Sequence, residues 1–359
     1  MTMTQRLHDL GQSLWLDNIT RQMLDDGTLR RYVDELSVTG LTSNPTIFEE
    51  AIGGSAAYDG GIRQKAHAGL SGEALFVELA LEDLRRAADL FRPVFERTGA
   101  TDGWVSMEVS PLLANDARAT LTAARDIHRL AGRPNLYVKI PGTPAGVGAI
   151  EEAILAGVSV NITLLFSREQ YLAVAEAYMR GLERRLAAGL DLRVNSVASL
   201  FVSRWDKAVA ARVPPALRNR LGIAVAMRTY RAHCDLLQTD RWRRLAEAGA
   251  AKQRMLWAST GVKDPQASPN LYVEALAAPD TIDTMPEKTL LAFAQGGRVG
   301  PVMPADGGDA EAVLAQFAAA GIDVDALARQ LQIDGAQSFV KSWTQLMQSI
   351  AEKSAVLTT

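Results

Sequence analysis

The chain has 359 residues, of which 48% are hydrophobic, with a formal net charge of −3 and a pI near 5.9. That is an ordinary globular composition, long enough for one large domain or two modest ones, and its near-balanced charge speaks against a nucleic-acid or membrane partner. A single cysteine, Cys234, rules out an intrachain disulfide and a cysteine zinc cluster; His8, His67, His128 and His233 form no pair at metal-ligand spacing.

The start, MTMTQRLHDLGQSLWLDN, lacks a signal-peptide pattern and no apolar run is long enough to span a bilayer, so the expected setting is the cytoplasm. Apolar runs bounded by turn residues alternate with long stretches of helical periodicity. The runs predict eight strands, near Leu14–Asp17, Gly40–Asn44, Trp104–Val109, Leu136–Ile140, Ser159–Leu165, Asn195–Phe201, Met255–Ser259 and Thr281–Thr284. Between them, stretches such as Glu73–Arg97, Asp116–Leu130 and Arg168–Ala188 carry Leu, Ala and charged residues at helical spacing, and Pro286–Ala294 follows the last strand. Such alternation predicts a parallel sheet. Eight units predict an α/β fold closed as a (β/α)8 TIM barrel; an open doubly wound sheet also alternates, but no GxGxxG follows the first strand. Ser203–Ala250 reads as additional helix interrupted at Pro214–Pro215, and the tail beyond Gly308 as two or three amphipathic helices packing on the barrel. With no linker, repeat or low-complexity tract, residues 1–359 are expected to form one barrel domain with a helical C-terminal extension from about residue 305.

Side chains on a strand alternate faces, so residues two apart point the same way. In Ser159-Val160-Asn161-Ile162-Thr163-Leu164 the apolar set belongs against the outer helices, which turns Ser159, Asn161 and Thr163 into the lumen. The same rule puts Leu136, Val138 and Ile140 outside and Lys139 inside. Thr42 shares a face with Asn44, and Ser106 with Glu108, while Asp17 ends the first strand and Ser259 the seventh. Taken singly, each has an ordinary explanation: a solvated edge lysine, a structural hydrogen bond, an N-cap at Asp17-Asn18, or a structural Lys139–Glu108 ion pair. Together, Asp17, Asn44, Glu108, Lys139, Asn161 and Thr163 fall at or near the C-terminal ends of different strands, where barrel enzymes carry catalytic groups. Burying a lysine beside two acids is costly unless the charges are paired.

A lumenal lysine is the side chain that forms an imine with a carbonyl substrate, and burial favours the neutral amine that must attack. Imine chemistry also needs a proton on the departing carbinolamine hydroxyl and removal of one from the hydroxyl whose C–C bond breaks. Two carboxylates in different surroundings can divide those tasks, and Asp17 and Glu108 are the available pair. Asn44 and Asn161 can hold substrate hydroxyls. No cofactor and no metal is needed, because the protonated imine itself accepts the electrons. A phosphate reader is predicted where Ser259-Thr260-Gly261-Val262-Lys263, after strand seven, meets Arg204, after strand six.

These residues coincide with the signatures of a known family. The run Gly40-Leu41-Thr42-Ser43-Asn44-Pro45-Thr46-Ile47-Phe48 is similar to one transaldolase signature. The run Asn135-Leu136-Tyr137-Val138-Lys139-Ile140-Pro141-Gly142-Thr143, followed by Gly146, is similar to the other, around a Schiff-base lysine. With strand-end matches at Asp17, Glu108, Asn161, Thr163, Ser199, Phe201 and Arg204, the chain resembles the longer bacterial transaldolases over most of the barrel. The resemblance implies transfer of a dihydroxyacetone unit between ketose and aldose phosphates in the non-oxidative pentose phosphate pathway. The usual pairs are sedoheptulose 7-phosphate with glyceraldehyde 3-phosphate, and fructose 6-phosphate with erythrose 4-phosphate. It implies that Lys139 forms the imine, that Asp17 takes and returns the proton at C–C cleavage and formation, and that Glu108 and Thr163 position a water for imine formation and hydrolysis. By the same resemblance Asn44 and Asn161 hold the dihydroxyacetone part, Ser199, Arg204, Ser259 and Lys263 meet the phosphate end, and Phe201 belongs to the substrate-binding set. Sugar phosphates are then the partners, nucleic acid and membrane are not, and the chain is a monomer or homodimer.

One departure and two rivals stand beside that reading. Many family members carry an Arg two residues after the strand-seven Ser; here that position is Gly261, and Lys263 offers a point charge rather than a fork. Relatives that release free dihydroxyacetone as aldolases tend to have Gln in place of Glu108 and Tyr in place of Phe201. Such a lyase, or a non-catalytic sugar-phosphate-binding barrel, is the alternative.

Overall fold

Eight parallel strands close in chain order: β1 (Ser13–Asp17), β2 (Val38–Thr42), β3 (Val105–Glu108), β4 (Leu136–Pro141), β5 (Val160–Leu165), β6 (Ser196–Phe201), β7 (Arg254–Ala258) and β8 (Ile282–Met285). β8 pairs back onto β1, so the sheet is a closed (β/α)8 barrel and not an open one. The computed structural model describes residues 2–358. Every predicted strand is present, displaced by no more than one or two residues at an end.

Alternation of faces holds along most of the wall. Leu136, Val138, Ile140, Val160 and Ile162 join the core between the strands and the outer helices. Trp15, Trp104, Tyr137, Val197, Leu256 and Ile282 belong to a second cluster and are the members of it that fill the lumen, and Trp104 stacks on Tyr137 with ring centroids 4.0 Å apart. Arg254 donates to Ser13 Oγ at 2.7 Å and to the Thr281 carbonyl at 2.9 Å, and Trp15 Nε1 donates to Asp102 at 2.7 Å. The lumen is therefore plugged toward its N-terminal end. Gly40 permits this: a Cβ there would lie 2.7 Å from both the Trp15 indole and the Trp104 carbonyl. Two residues beyond Trp15 and Tyr137 on the same face come Asp17 and Lys139, so polar groups gather at the opposite end.

Two expectations are corrected. Asn44 is not a strand residue: β2 ends at Thr42, and Asn44 caps the Pro45–Gly53 helix by accepting from Ile47 N at 3.0 Å. Leu164, expected on the outer face, is not part of the outer core; its side chain lies against Gly335 of the Val324–Thr358 helix. The β5–β6 register shifts between Ile162 and Leu165, and Leu164 takes a left-handed φ of 59°, so the bulge turns its side chain off the outer face and toward the tail helix.

The helices start on signals visible in the chain. Asp116 caps Ala117–Ala131, Thr143 caps Pro144–Leu155 with proline in its first turn, and Ser167 caps Arg168–Ala187. Gly146, in the first turn after β4, has no room for a side chain, because a Cβ would run into the Pro141 carbonyl. The Ser203–Ala250 region holds helices Ser203–Val209, Leu221–Leu237 and Asp240–Glu247, with a short 3-10 turn at Pro215–Leu217. The tail forms two helices, Ala310–Ala319 and Val324–Thr358. The second packs on the Pro45–Gly53 and Asp59–His67 helices and reaches the rim of the barrel, where Gln332 Nε2 donates to the carbonyls of Gly142 (3.0 Å) and Leu164 (2.9 Å). Among the described residues no helix is long and apolar enough to cross a membrane.

Asp283, on β8, is fully buried and accepts from Thr260 Oγ1 at 2.8 Å. Burial pushes its carboxyl up to about 7 against the opposing hydrogen bond. A raised folded-state value means the native chain holds a proton that the unfolded chain has lost. The contribution is thus complete below the ordinary value of 3.8 and lost as pH rises through about 7. Asp283→Asn keeps the acceptor without the charge. It should therefore gain about 2–4 kcal/mol in urea unfolding at about pH 8 and nothing near pH 4. Equal gains at both pH values would contradict this account.

Candidate active site

Lys139 stands on β4 with Glu108 beside it on β3 and Asn161 beside it on β5, in direct register. The lysine and Glu108 are only 5% and 6% exposed. Lys139 Nζ lies 3.1 Å from Glu108 Oε2 and donates to the Ser43 carbonyl at 3.1 Å. The approach to Glu108 is close but poorly directed, so both of its carboxylate oxygens, like Thr163 Oγ1 on β5, are buried without a protein hydrogen-bond partner. Burial is the main influence on Glu108 and raises its pKa; the Lys139 charge opposes it. A group so placed holds a proton further into the neutral range than a solvated glutamate and can give it up to a neighbour.

Asp17, at the end of β1, accepts from Thr42 Oγ1 at 2.7 Å, and Thr42 in turn meets Thr284 Oγ1 at 2.7 Å. It does not cap a helix; Thr20 does so for Arg21–Asp25. Burial raises the Asp17 pKa, opposed by the charge of Lys139, the Thr42 hydrogen bond, and the charges of Arg204 and Lys263. The two acids are held differently. Glu108 is on the lysine itself, whereas Asp17 is tied to the Thr42 hydroxyl on the neighbouring strand.

All the predicted site residues except Glu108 and Asn161 line one cavity of about 270 Å³. Asn161 is fully buried beside it, its amide donating to Ser106 Oγ (3.1 Å) and accepting from Ser199 Oγ (2.7 Å), so Ser199 is the member of this chain that faces the cavity. Arg204 has no ion-pair partner among the described residues, and burial lowers its pKa. Its guanidinium lies over the Phe201 ring (5.0 Å to the centroid) and near the Phe339 ring (5.6 Å). Ser259, just past β7, takes a left-handed φ of 57°, and its hydroxyl meets Ser203 Oγ at 2.9 Å. Lys263 also lines the cavity but is exposed. The predicted cationic end therefore exists, with one enclosed guanidinium and one solvated ammonium.

Some lining groups were missed. Phe339, from the Val324–Thr358 helix, stands over the cavity with Lys139 Nζ 5.8 Å from its ring centroid. Periodicity marked that helix as amphipathic, but no local pattern says which apolar residue reaches the barrel. Thr284 was within reach of the same alternation rule, since it ends the predicted eighth strand. The Ser43 carbonyl carries no sequence signal at all.

The family described as Transaldolase/Fructose-6-phosphate aldolase matches residues 14–350. The chain is 43% identical to a transaldolase of Thermobifida fusca over 363 residues, covering 99% of each. It is 43% identical to a transaldolase of Thiobacillus denitrificans, covering 98% of this chain and all of the relative, and 40% identical to transaldolase 2 of Nostoc punctiforme, covering 97% and 96%. Matches of this extent leave no part of the barrel outside the comparison, and the chain belongs to the transaldolase/fructose-6-phosphate aldolase family.

Proposed function

We propose that the chain is a transaldolase that moves a dihydroxyacetone unit between sugar phosphates through an imine on Lys139. The observation that carries this reading is the enclosed Lys139 amine 3.1 Å from the Glu108 carboxylate, at the wall of a cavity whose other end is cationic. A lysine there has a proton partner for imine formation and a substrate-sized space in front of it. Glu108 gives a proton to the hydroxyl leaving the carbinolamine, which departs as water while the nitrogen lone pair forms the C=N bond. Asp17 then takes the proton of the hydroxyl on the far carbon, that carbon becomes a carbonyl, and the electrons of the broken C–C bond pass into the imine. The enamine left on Lys139 attacks the aldehyde of the acceptor, and the steps reverse. Asn44 and Ser199 hold substrate hydroxyls, with Asn161 fixing Ser199 from below. Arg204, Ser259 and Lys263 take the phosphate, and Phe201 and Phe339 wall the path to it.

The lyase reading differs in the fate of the enamine. Glu108 and Phe201, where aldolase relatives tend to carry Gln and Tyr, favour transfer. Assays of dihydroxyacetone release with and without an acceptor aldose phosphate test this. Turnover should depend on the acceptor, and rapid release without it would point to the aldolase.

The phosphate grip makes a separate prediction. Arg204 is enclosed and unpaired, so Arg204→Ala should raise KM for either sugar phosphate about 10- to 100-fold. Lys263 is solvated, and Lys263→Ala should cost about twofold to fivefold. Steady-state kinetics decide between them, and a larger effect at Lys263 would reassign the main phosphate ligand.

A further inference from the structure

Glu108 does not itself line the main cavity; its carboxylate meets Lys139 from beside it, and the residue also borders two spaces behind the barrel wall. Behind it lies a void of about 10 Å³, bounded by Ser43, Asn44, Phe76, Met107, Glu108 and Trp343 among others. That is roughly the space of one water molecule. Asn44 is shared between this void and the main cavity. On its other side Phe76, Met107, Glu108 and Trp343 are shared with a cleft of about 340 Å³ between helices Gly72–Arg97 and Ala117–Ala131. The three spaces thus follow one another from the substrate side, past Glu108, to the surface.

The polar groups along this line lack directed hydrogen bonds to the protein, although Glu108 keeps its ion pair with Lys139. Both Glu108 oxygens and Ser110 Oγ are buried without a hydrogen bond to the protein, and Glu108 and Ser110 both line the cleft. Buried polar atoms of this kind ordinarily carry ordered water. The charged residues that line the cleft are Glu73 and Glu78 from one helix, Asp126 from the other, and Glu108 itself; no Lys or Arg is among them. An acidic passage repels sugar phosphates while remaining open to water and protons. The main cavity has the opposite charge at its phosphate end, where Arg204 and Lys263 stand.

We infer that the cleft between Gly72–Arg97 and Ala117–Ala131 is a rear water route to Glu108, separate from the substrate entrance. The inference rests on the proposed role of Glu108 in imine formation. A ketose bound to Lys139 with its phosphate at Arg204 fills the main cavity and blocks water there. Each imine formation releases one water, and each hydrolysis consumes one. Glu108, having given its proton to the departing hydroxyl, recovers it from the water that later hydrolyses the imine, and the cleft carries that water out and in.

The test follows exchange of the C2 oxygen of fructose 6-phosphate in ¹⁸O-labelled water, above the uncatalysed background, by mass spectrometry. Ala123→Phe fills the cleft from the Ala117–Ala131 side, and Ala74→Phe covers it at its exposed rim. Each should slow the exchange about tenfold or more while leaving KM and the final yield of borohydride-trapped adduct at their parent values. Melting curves identify a variant that has lost its fold, and the rim substitution carries the test if the half-buried one has. In the same assay Glu108→Gln should slow exchange about a hundredfold. Slow exchange in Glu108→Gln with parent rates in both plugged variants overturns the rear route and leaves the role of Glu108 intact. Parent exchange in Glu108→Gln removes that role, and the route with it.

Discussion

Lys139→Ala should lower turnover by about 10⁴-fold or more at saturating substrate, since it removes the covalent nucleophile and not merely a binding contact. Its ground-state contacts, the Ser43 carbonyl and Glu108, are not substrate contacts, so affinity for the sugar phosphate should survive. The fold should survive as well. Deleting one member of a buried ion pair ordinarily leaves the other charge stranded, at a cost of about 3–5 kcal/mol. Here burial already raises the Glu108 pKa, and without Lys139 the carboxyl takes up a proton instead of remaining charged. Calorimetry of Lys139→Met, which replaces the aliphatic stem, should give a melting temperature no lower than the parent's. A variant with substantial remaining turnover would place the nucleophile elsewhere.

Asp17→Asn should lower C–C cleavage about 10²- to 10⁴-fold, the range over which a positioned general base acts. Asparagine preserves the shape and can still accept from Thr42 Oγ1, so the site should remain assembled. The discriminating readout is a ketone with no C–C bond to break. Dihydroxyacetone should still be trapped on Asp17→Asn by borohydride, because imine formation belongs to Glu108 in this scheme. Loss of trapping together with cleavage would show that Asp17 serves imine formation instead. The pH profile follows from the same groups. Burial disfavours the Asp17 anion, so the proton stays on to a higher pH than on a solvated aspartate. Because the base must be ionised, the acid limb of kcat/KM in the parent should lie above the ordinary carboxylate range and change shape in Asp17→Asn.

The barrel was legible because its two periodicities are strong. Outer faces of Val, Ile and Leu at alternate positions place Lys139, Asn161 and Thr163 in the lumen without any tertiary information. The rule failed where the backbone departs from a regular strand. Leu164 leaves the outer face at a bulge, and Asn44 leaves β2 to cap a helix, and neither event changes the spacing of apolar residues nearby. Which acid belongs to which task was only partly readable. Both were found as strand-end carboxylates, but that Glu108 sits behind the lysine and Asp17 in front depends on the geometry of the wall. The contribution of the tail was hidden for another reason. Phe339 reaches Lys139 and Arg204 from more than a hundred residues away in sequence, through a helix whose direction is set by contacts such as Gln332 to the β4 and β5 ends. The place of Gly261 is equally a tertiary matter: Lys263 fills part of the space beside it, yet solvation leaves Arg204 as the enclosed cation.

The central claim is that Lys139 carries the substrate, and reduction of the enzyme with borohydride in the presence of fructose 6-phosphate tests it most directly. Peptide mass mapping should find a single reduced dihydroxyacetone adduct, on the peptide containing Lys139. An adduct on any other lysine, or an active enzyme that yields none, would contradict the account.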